Sequence, residues 1–180
     1  MKKHVLFIHG AGEGAYEEDE KLAVSLQDKL GAAYDVRFPR MPNEARPTYT
    51  EWKHQIDEEL AAVTGEVVLV GHSLGGSVLL KYLSEEGVRS TIVGVYLIAA
   101  PYWGVEDWQS SELELHRDVA SELASGLPVF LYHSRDDEWV PFSHLEVYRE
   151  LLPQATVREF DGRGHQFDND LSSVARDIKR

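Results

Sequence analysis

The chain has 180 residues, of which 18 are Lys or Arg and 31 are Asp or Glu, so its formal net charge is −13. This length suits one domain, and we expect a single domain over residues 1–180. The acidic balance argues against nucleic acid or an anionic membrane as a partner, because phosphate groups are bound by clustered Lys and Arg. Since the chain contains no Cys, disulfides, zinc–thiolate sites and cysteine nucleophiles are excluded.

The first residues do not resemble a secretory signal. A basic start at Lys2 and Lys3 precedes an apolar run of only four residues, 5–8. A secretory signal needs an apolar run of about seven or more, and a membrane span needs about 20. We therefore expect a cytoplasmic protein that does not enter the membrane.

Short apolar runs alternate with amphipathic segments along the whole chain. The runs are rich in β-branched residues and predict strands at residues 5–8, 36–38, 67–70, 92–99, 129–132 and 156–160. The segments between them predict helices at residues 17–30, 49–63, 74–85, 112–124, 144–151 and 171–178. Such alternation is typical of βα units, so the sequence predicts an α/β fold: a mostly parallel six-stranded sheet with helices on both faces.

Residues 71–75, Gly-His-Ser-Leu-Gly, match the G-x-S-x-G motif of a nucleophile elbow. They follow an all-apolar predicted strand and open an amphipathic helix, which is the context that this turn requires. Glycine is needed two residues before and after the serine because side chains there would collide in so sharp a turn. The motif predicts Ser73 as a nucleophile at the carboxyl edge of the sheet, where parallel sheets bind their ligands.

A serine hydroxyl is a poor nucleophile until a neighbouring base takes its proton, so a histidine and an orienting acid should meet it. His165, between small residues after the last predicted strand, is the candidate base. Asp136 and Asp137 both follow the fifth strand, and their position alone leaves the choice of acid open. His72 is expected to be a packing residue, because side chains alternate in direction along a strand.

Parts of these loops also match two other kinds of site. The acidic segment with Asp136, Asp137, Glu138 and His144 offers ligands for a cation, but it lacks the alternating ligands and central glycine of a binding loop, so we expect no metal. Residues 10–15 match the G-x-G-x-x-A of a dinucleotide-binding turn. However, Arg37 stands near the end of the next strand, where an NAD site has an acid, and we expect no cofactor.

In an acyl-transfer site the same glycine-rich loop has a different use, because it lets the backbone approach a substrate oxygen. The amides of Ala11 and Leu74 are then predicted to form the oxyanion hole. Gly12, Tyr102 and Trp103 are candidates for the substrate pocket, although aromatic residues at this place also serve to cap a core. The elbow motif favours acyl transfer over dinucleotide binding.

Taken together, these motifs resemble the compact, capless serine hydrolases grouped with a retinoblastoma-binding protein and the bacterial YdeN-like proteins. The chain order Ser73, Asp137, His165 is that of the α/β-hydrolases. In such hydrolases the acid typically stands four residues before the Pro of a Val-Pro pair, which is Pro141 here and selects Asp137. The first loop departs from many members in being glycine-rich and then acidic at residues 17–20.

The resemblance implies a minimal α/β-hydrolase fold and carboxylesterase-like activity on small esters through an acyl-enzyme. Ser73 would be the nucleophile, His165 the general base and acid, and Asp137 the orienting carboxylate. A small-molecule ester is the expected partner, and no protein partner is predicted. The alternative is a hydrolase-like binding or regulatory protein with weak or no activity.

Overall fold

The computed structural model describes residues 2–87, 89, 91–105, 107–123 and 126–180. Strands and helices alternate along these residues. The strands are β1 Lys3–Ile8, β2 Tyr34–Arg37, β3 Val67–His72, β4 Ile92–Ile98, β5 Val129–Ser134 and β6 Thr156–Phe160. The helices are α1 Ala15–Leu30, α2 Tyr49–Ala61, α3 Leu74–Glu86, α4 Val119–Glu122, α5 Ser143–Leu151 and α6 Ser172–Ile178, with a short 3₁₀ turn at Phe167–Asn169.

The six strands form one sheet in the order β2-β1-β3-β4-β5-β6, and every neighbouring pair is parallel. The prediction of a parallel α/β sheet is therefore confirmed. Ile8 pairs with Gly71, and His72 pairs with Ile98, so these strands end at one edge of the sheet. β3 lies between β1 and β4 and is buried at every position, as its uninterrupted apolar run up to Gly71 predicts.

Side chains of β1, β3, β4 and β5 alternate between two hydrophobic cores, one on each face of the sheet. In β1, Leu6 and Ile8 pack with residues of α2, α3 and α5, whereas Val5 and Phe7 pack with residues of α1 and α6. This alternation follows from the two-residue period of a strand. The predicted helices on both faces are thus confirmed.

The prediction of a helix over residues 112–124 is wrong. Only Val119–Glu122 are helical, and Ala124 lies outside the described residues. The preceding segment is tied to other elements instead: Glu112 accepts a hydrogen bond from the Tyr49 amide at the start of α2, and Lys81 of α3 donates to the Glu114 carbonyl. These tertiary bonds override the helical spacing. No helix in the described part of the chain combines the length and apolar character of a membrane span.

Candidate active site

Ser73 stands on the turn between β3 and α3 with φ 51° and ψ −126°, a conformation that is strained for a residue with a side chain. The turn is tight enough to require its glycines. A β-carbon on Gly71 would lie 2.6 Å from the Gly76 nitrogen, and one on Gly75 would overlap the Ile8 carbonyl oxygen. The expected elbow conformation is therefore present, and it holds Ser73 at the N-terminus of α3, where the helix dipole favours negative charge.

A cavity of about 660 Å³ opens at the carboxyl edge of the sheet, and both Ser73 and His165 line it. The first loop and the segment after β4 form its walls, with Trp103 and Trp108 among the lining residues. Their rings pack edge to face, with centroids 5.4 Å apart. The structure thus brings the predicted nucleophile and base to one cavity.

Asp137 is the partner of His165. His165 Nδ1 donates to Asp137 Oδ2 at 2.9 Å and to Oδ1 at 3.0 Å, and the Asp137 side chain is fully buried. Oδ1 also accepts hydrogen bonds from the amides of Trp139 and Val140. Burial opposes ionisation of Asp137, but the hydrogen bonds from His133 and His165 outweigh it and hold its pKa well below the usual range.

The Asp137 bond determines which nitrogen of His165 is free to act. Because Nδ1 donates to a carboxylate, Nε2 carries the lone pair in the neutral ring. Burial lowers the pKa of His165 below its ordinary value of 6.5; the hydrogen bond to Asp137 opposes this shift and the positive charge of His72 adds to it. The His165 ring is therefore neutral near pH 7, with the lone pair of Nε2 available to accept a proton.

Asp136 contacts the backbone of the loop after β6 that carries His165 (residues 161–166, the histidine loop) rather than the histidine ring. Its Oδ1 accepts hydrogen bonds from the amides of Arg163 and Gly164 at 3.2 and 3.3 Å. Glu138, which the sequence offered only as a possible cation ligand, accepts from the His165 amide at 3.0 Å. The three acids therefore have different contacts: Asp137 binds the His165 ring, whereas Asp136 and Glu138 bind backbone amides of the histidine loop.

The four groups considered for a metal site are used elsewhere. Asp136, Asp137 and Glu138 bind the histidine loop, and His144 Nδ1 accepts a hydrogen bond from the Tyr102 amide at 2.8 Å. Among the described residues, no group of three or more His, Asp or Glu side chains is arranged to hold a metal ion.

The two amides predicted for the oxyanion hole border the same cavity. Ala11 and Leu74 both line it. Within the described residues, neither amide donates a hydrogen bond to another protein group. Gly12 shapes the loop between β1 and α1. It has φ 123°, its N–H donates to the Glu44 carbonyl, and its carbonyl accepts from the Ala15 amide.

The pocket candidates behave differently from one another. Gly12 and Trp103 line the cavity, whereas Tyr102 is not among its lining residues. The Tyr102 ring packs edge to face on Tyr148, with centroids 5.5 Å apart. Trp139 lines the cavity and is 71% exposed, although the sequence reasoning passed over it. Its position two residues after Asp137 was the sequence feature that could have marked it as a cavity residue.

His72 is buried, as expected of a packing residue, yet it belongs to the site. Its ring lines the cavity, and its centroid lies 4.8 Å from that of the His165 ring. Asp19 of α1 binds it with an Nδ1–Oδ2 distance of 2.8 Å. Nothing in the sequence pairs these two residues, because they are 53 positions apart.

A parallel sheet with a serine elbow and a buried His–Asp pair over its carboxyl edge defines the α/β-hydrolase class. A family model described as serine hydrolase matches residues 8–170, and the chain belongs to this family. Its fold is similar to that of the esterase RhEst1 from Rhodococcus sp. ECU1013, with a TM-score of 0.74 and 16% identity over 99% of this chain and 89% of that chain. It is also similar to the ydeN gene product from B. subtilis, with a TM-score of 0.71 and 18% identity over 99% of this chain and 97% of that chain.

Among curated proteins, the chain resembles the lysosomal phospholipase A and acyltransferase of Bos taurus. The two are 32% identical over 80 residues, which are 43% of this chain and 19% of that protein. The match thus spans about a fifth of the length of this relative. The predicted resemblance to compact YdeN-like serine hydrolases is confirmed, and so is the minimal α/β-hydrolase fold.

Proposed function

We propose that the protein hydrolyses small carboxylic esters with a catalytic triad of Ser73, His165 and Asp137. One observation carries the proposal: His165 binds a buried carboxylate through Nδ1 and borders the cavity that Ser73 also lines. A serine hydroxyl becomes a nucleophile when a histidine oriented by a carboxylate takes its proton, and these contacts support that role for His165.

In the first half-reaction, Ser73 Oγ attacks the acyl carbon while His165 Nε2 takes the hydroxyl proton. The ester C=O becomes an oxyanion, which the Ala11 and Leu74 amides would stabilise. Asp137 stabilises the imidazolium that forms. When the tetrahedral intermediate collapses, the C–O bond to the alcohol breaks, and the departing oxygen takes the proton from His165.

In the second half-reaction, water replaces the alcohol. His165 takes a proton from water as the water oxygen attacks the acyl-enzyme carbonyl, and the bond to Ser73 Oγ breaks as the proton returns to that oxygen. The acid leaves, and the free serine is restored. The whole cycle needs no group beyond this chain, the ester and water.

The charge of the cavity favours small esters that are uncharged or cationic over anionic ones. Its carboxylates include Glu13, Glu18 and Glu112, and none of its described lining residues is Lys or Arg. Together with the net charge of −13, these groups repel a carboxylate or phosphate on the substrate. The aromatic walls formed by Trp103 and Trp108 suit an apolar acyl or alcohol group.

The test is hydrolysis of p-nitrophenyl esters of increasing chain length, together with covalent labelling by a fluorophosphonate probe. We expect turnover of the short esters and labelling of the wild-type chain. Ser73→Ala should abolish labelling and lower kcat by about 10⁶-fold. Ser84→Ala is the matched control, because the Ser84 hydroxyl donates to the Lys81 carbonyl within α3 and Ser84 is not among the described lining residues of the cavity. A wild-type chain that neither labels nor turns over would overturn the proposal in favour of a binding or regulatory protein.

A further inference from the structure

Asp19 is a buried carboxylate at the centre of the site, although it lies on α1. Its side chain is 3% exposed. Oδ2 accepts hydrogen bonds from the Gly10 amide at 2.8 Å and from His72 Nδ1 at 2.8 Å, and Oδ1 accepts from Gln166 Nε2 at 2.7 Å. Burial opposes ionisation of Asp19, but the charge and hydrogen bond of His72, with the bonds from Gln166 and Gly10, lower its pKa to about 2.

His72 has an acceptor at each ring nitrogen. Nδ1 faces the Asp19 carboxylate, and Nε2 lies 3.0 Å from the His165 carbonyl oxygen. Neither an ionised carboxylate nor a carbonyl can donate, and a neutral imidazole has only one N–H. Both bonds therefore form only when His72 is an imidazolium. A buried Asp19–His72 ion pair results, of the kind that is retained in a protein interior only when its hydrogen bonds are satisfied.

The partners of this ion pair are the chain neighbours of the proposed catalytic groups. Gly10 precedes Ala11, His72 precedes Ser73, and Gln166 follows His165, whose carbonyl His72 also binds. We propose that Asp19 and His72 are positioning residues: a permanently charged pair that holds the loop after β1 (residues 9–14), the elbow and the histidine loop in one arrangement. The inference rests on the proposed function, since it concerns the alignment of that site.

The pair also acts on His165 electrostatically. The charged groups that act on the His165 ring are His72 from β3, Asp137 from the loop after β5 and Asp19 from α1, while Glu138 binds the His165 amide. His72 lowers the pKa of His165, whereas Asp137 and Asp19 raise it, and the effect of His72 exceeds that of Asp19. Loss of the His72 charge therefore leaves His165 easier to protonate, so its pKa rises.

A first experiment measures the charge of His72 directly in the unmodified protein. Histidine side-chain ¹⁵N correlation spectra at pH 7.5 should show both nitrogens of His72 protonated, above the ordinary pKa of 6.5. The signals are assigned by their loss in His72→Gln or, if that variant does not fold, by the through-space contact with the His165 ring. A neutral His72 with a single N–H at this pH would overturn the proposal.

A second experiment measures the consequence for catalysis with a p-nitrophenyl ester. Glutamine cannot carry the charge of His72. Because a small misalignment of reacting groups costs about 10²-fold in rate, we expect His72→Gln to lower kcat by about 10²-fold with KM little changed. The acid limb of the kcat/KM profile should move to higher pH. Without the Asp19 carboxylate His72 loses the partner that keeps it protonated, and the lost effect of His72 on His165 exceeds that of Asp19, so Asp19→Asn should shift the limb in the same direction. The double variant should be no worse than His72→Gln, because the two residues act as a unit.

Asp177→Asn is the matched control for the loss of a buried carboxylate. Asp177 on α6 binds Arg158 and the Tyr132 hydroxyl rather than the loops at the cavity. This variant should lose stability and keep the acid limb of the wild type. If His72→Gln and Asp19→Asn lose only stability, as Asp177→Asn does, the pair is merely structural and the inference is wrong. A wild-type chain without esterase activity would instead overturn the proposed function, and the NMR measurement would still decide the charge of His72.

Discussion

Gly71 and Gly76 touch across the nucleophile elbow: a β-carbon on Gly71 would lie 2.6 Å from both the nitrogen and the Cα of Gly76. These neighbours are backbone atoms and cannot turn aside as a flexible side chain can. We expect Gly71→Ala to displace the turn that carries Ser73. The variant should lose about 1–3 kcal/mol of unfolding free energy, measured by chemical denaturation, and most of its esterase activity.

Gly65→Ala is the control for this change. Gly65 has φ 95° but nothing within 4 Å of its would-be β-carbon, so its replacement strains only the local backbone and should leave kcat near the wild-type value. If the two variants lose equal activity, the packing of the elbow is not what Gly71 supplies.

The two neighbouring acids should differ sharply in their effect on turnover. Asp137→Asn presents an amide to His165 Nδ1 and favours the wrong tautomer, so kcat should fall by about 10⁴-fold. Asp136→Asn keeps an oxygen that can accept from the Arg163 and Gly164 amides, so its kcat should fall by less than about tenfold. Steady-state kinetics on one p-nitrophenyl ester compares them, and a larger loss in Asp136→Asn would reverse the assignment of the acid.

Activity should persist into mildly acidic solution. Burial lowers the pKa of His165 below 6.5, and the base acts in its neutral form, so the acid limb of the kcat/KM profile should have its midpoint below pH 6.5. Tryptophan fluorescence over the same range establishes that the chain stays folded. A midpoint at or above pH 6.5 in folded protein would show that Asp137 raises the pKa of His165 by at least as much as burial lowers it.

Asp19 should also make the fold sensitive to strong acid. Its folded pKa of about 2 lies below the ordinary 3.8, so its stabilising contribution is present above pH 3.8 and is lost as the pH falls toward 2. We expect Asp19→Asn to lower the unfolding free energy at pH 7 by on the order of 2 kcal/mol, with the difference from wild type shrinking below pH 4.

Denaturant titrations at several pH values measure this difference. Asp28→Asn, an exposed acid on the same helix, should follow the wild-type curve throughout. A difference between Asp19→Asn and wild type that stays constant down to pH 2 would mean that folding does not lower the pKa of Asp19.

The local sequence pattern was sufficient to predict structure wherever that structure depends on residues close together in the chain. The apolar run before Gly71 predicted β3, and the glycines of the elbow predicted the turn, because both follow from the period of a strand and the space around one backbone. The same kind of pattern failed at residues 112–124, where bonds from Tyr49 and Lys81 hold the chain in an irregular path. Helical spacing is a weak preference, and contacts with α2 and α3 override it.

The sequence by itself determined the order of strands and helices, the elbow around Ser73 and the short set of acids and bases near the sheet edge, since each of these depends on residues close together in the chain. The residues alone left the acid open between Asp136 and Asp137; the resemblance favoured Asp137, and the structure places it on His165. Only the tertiary structure decided that Tyr102 packs on Tyr148 and that Asp19 reaches His72 from helix α1. Such pairings depend on how loops from distant parts of the chain meet above the sheet, and a buried charge is stable only where that meeting supplies its partners.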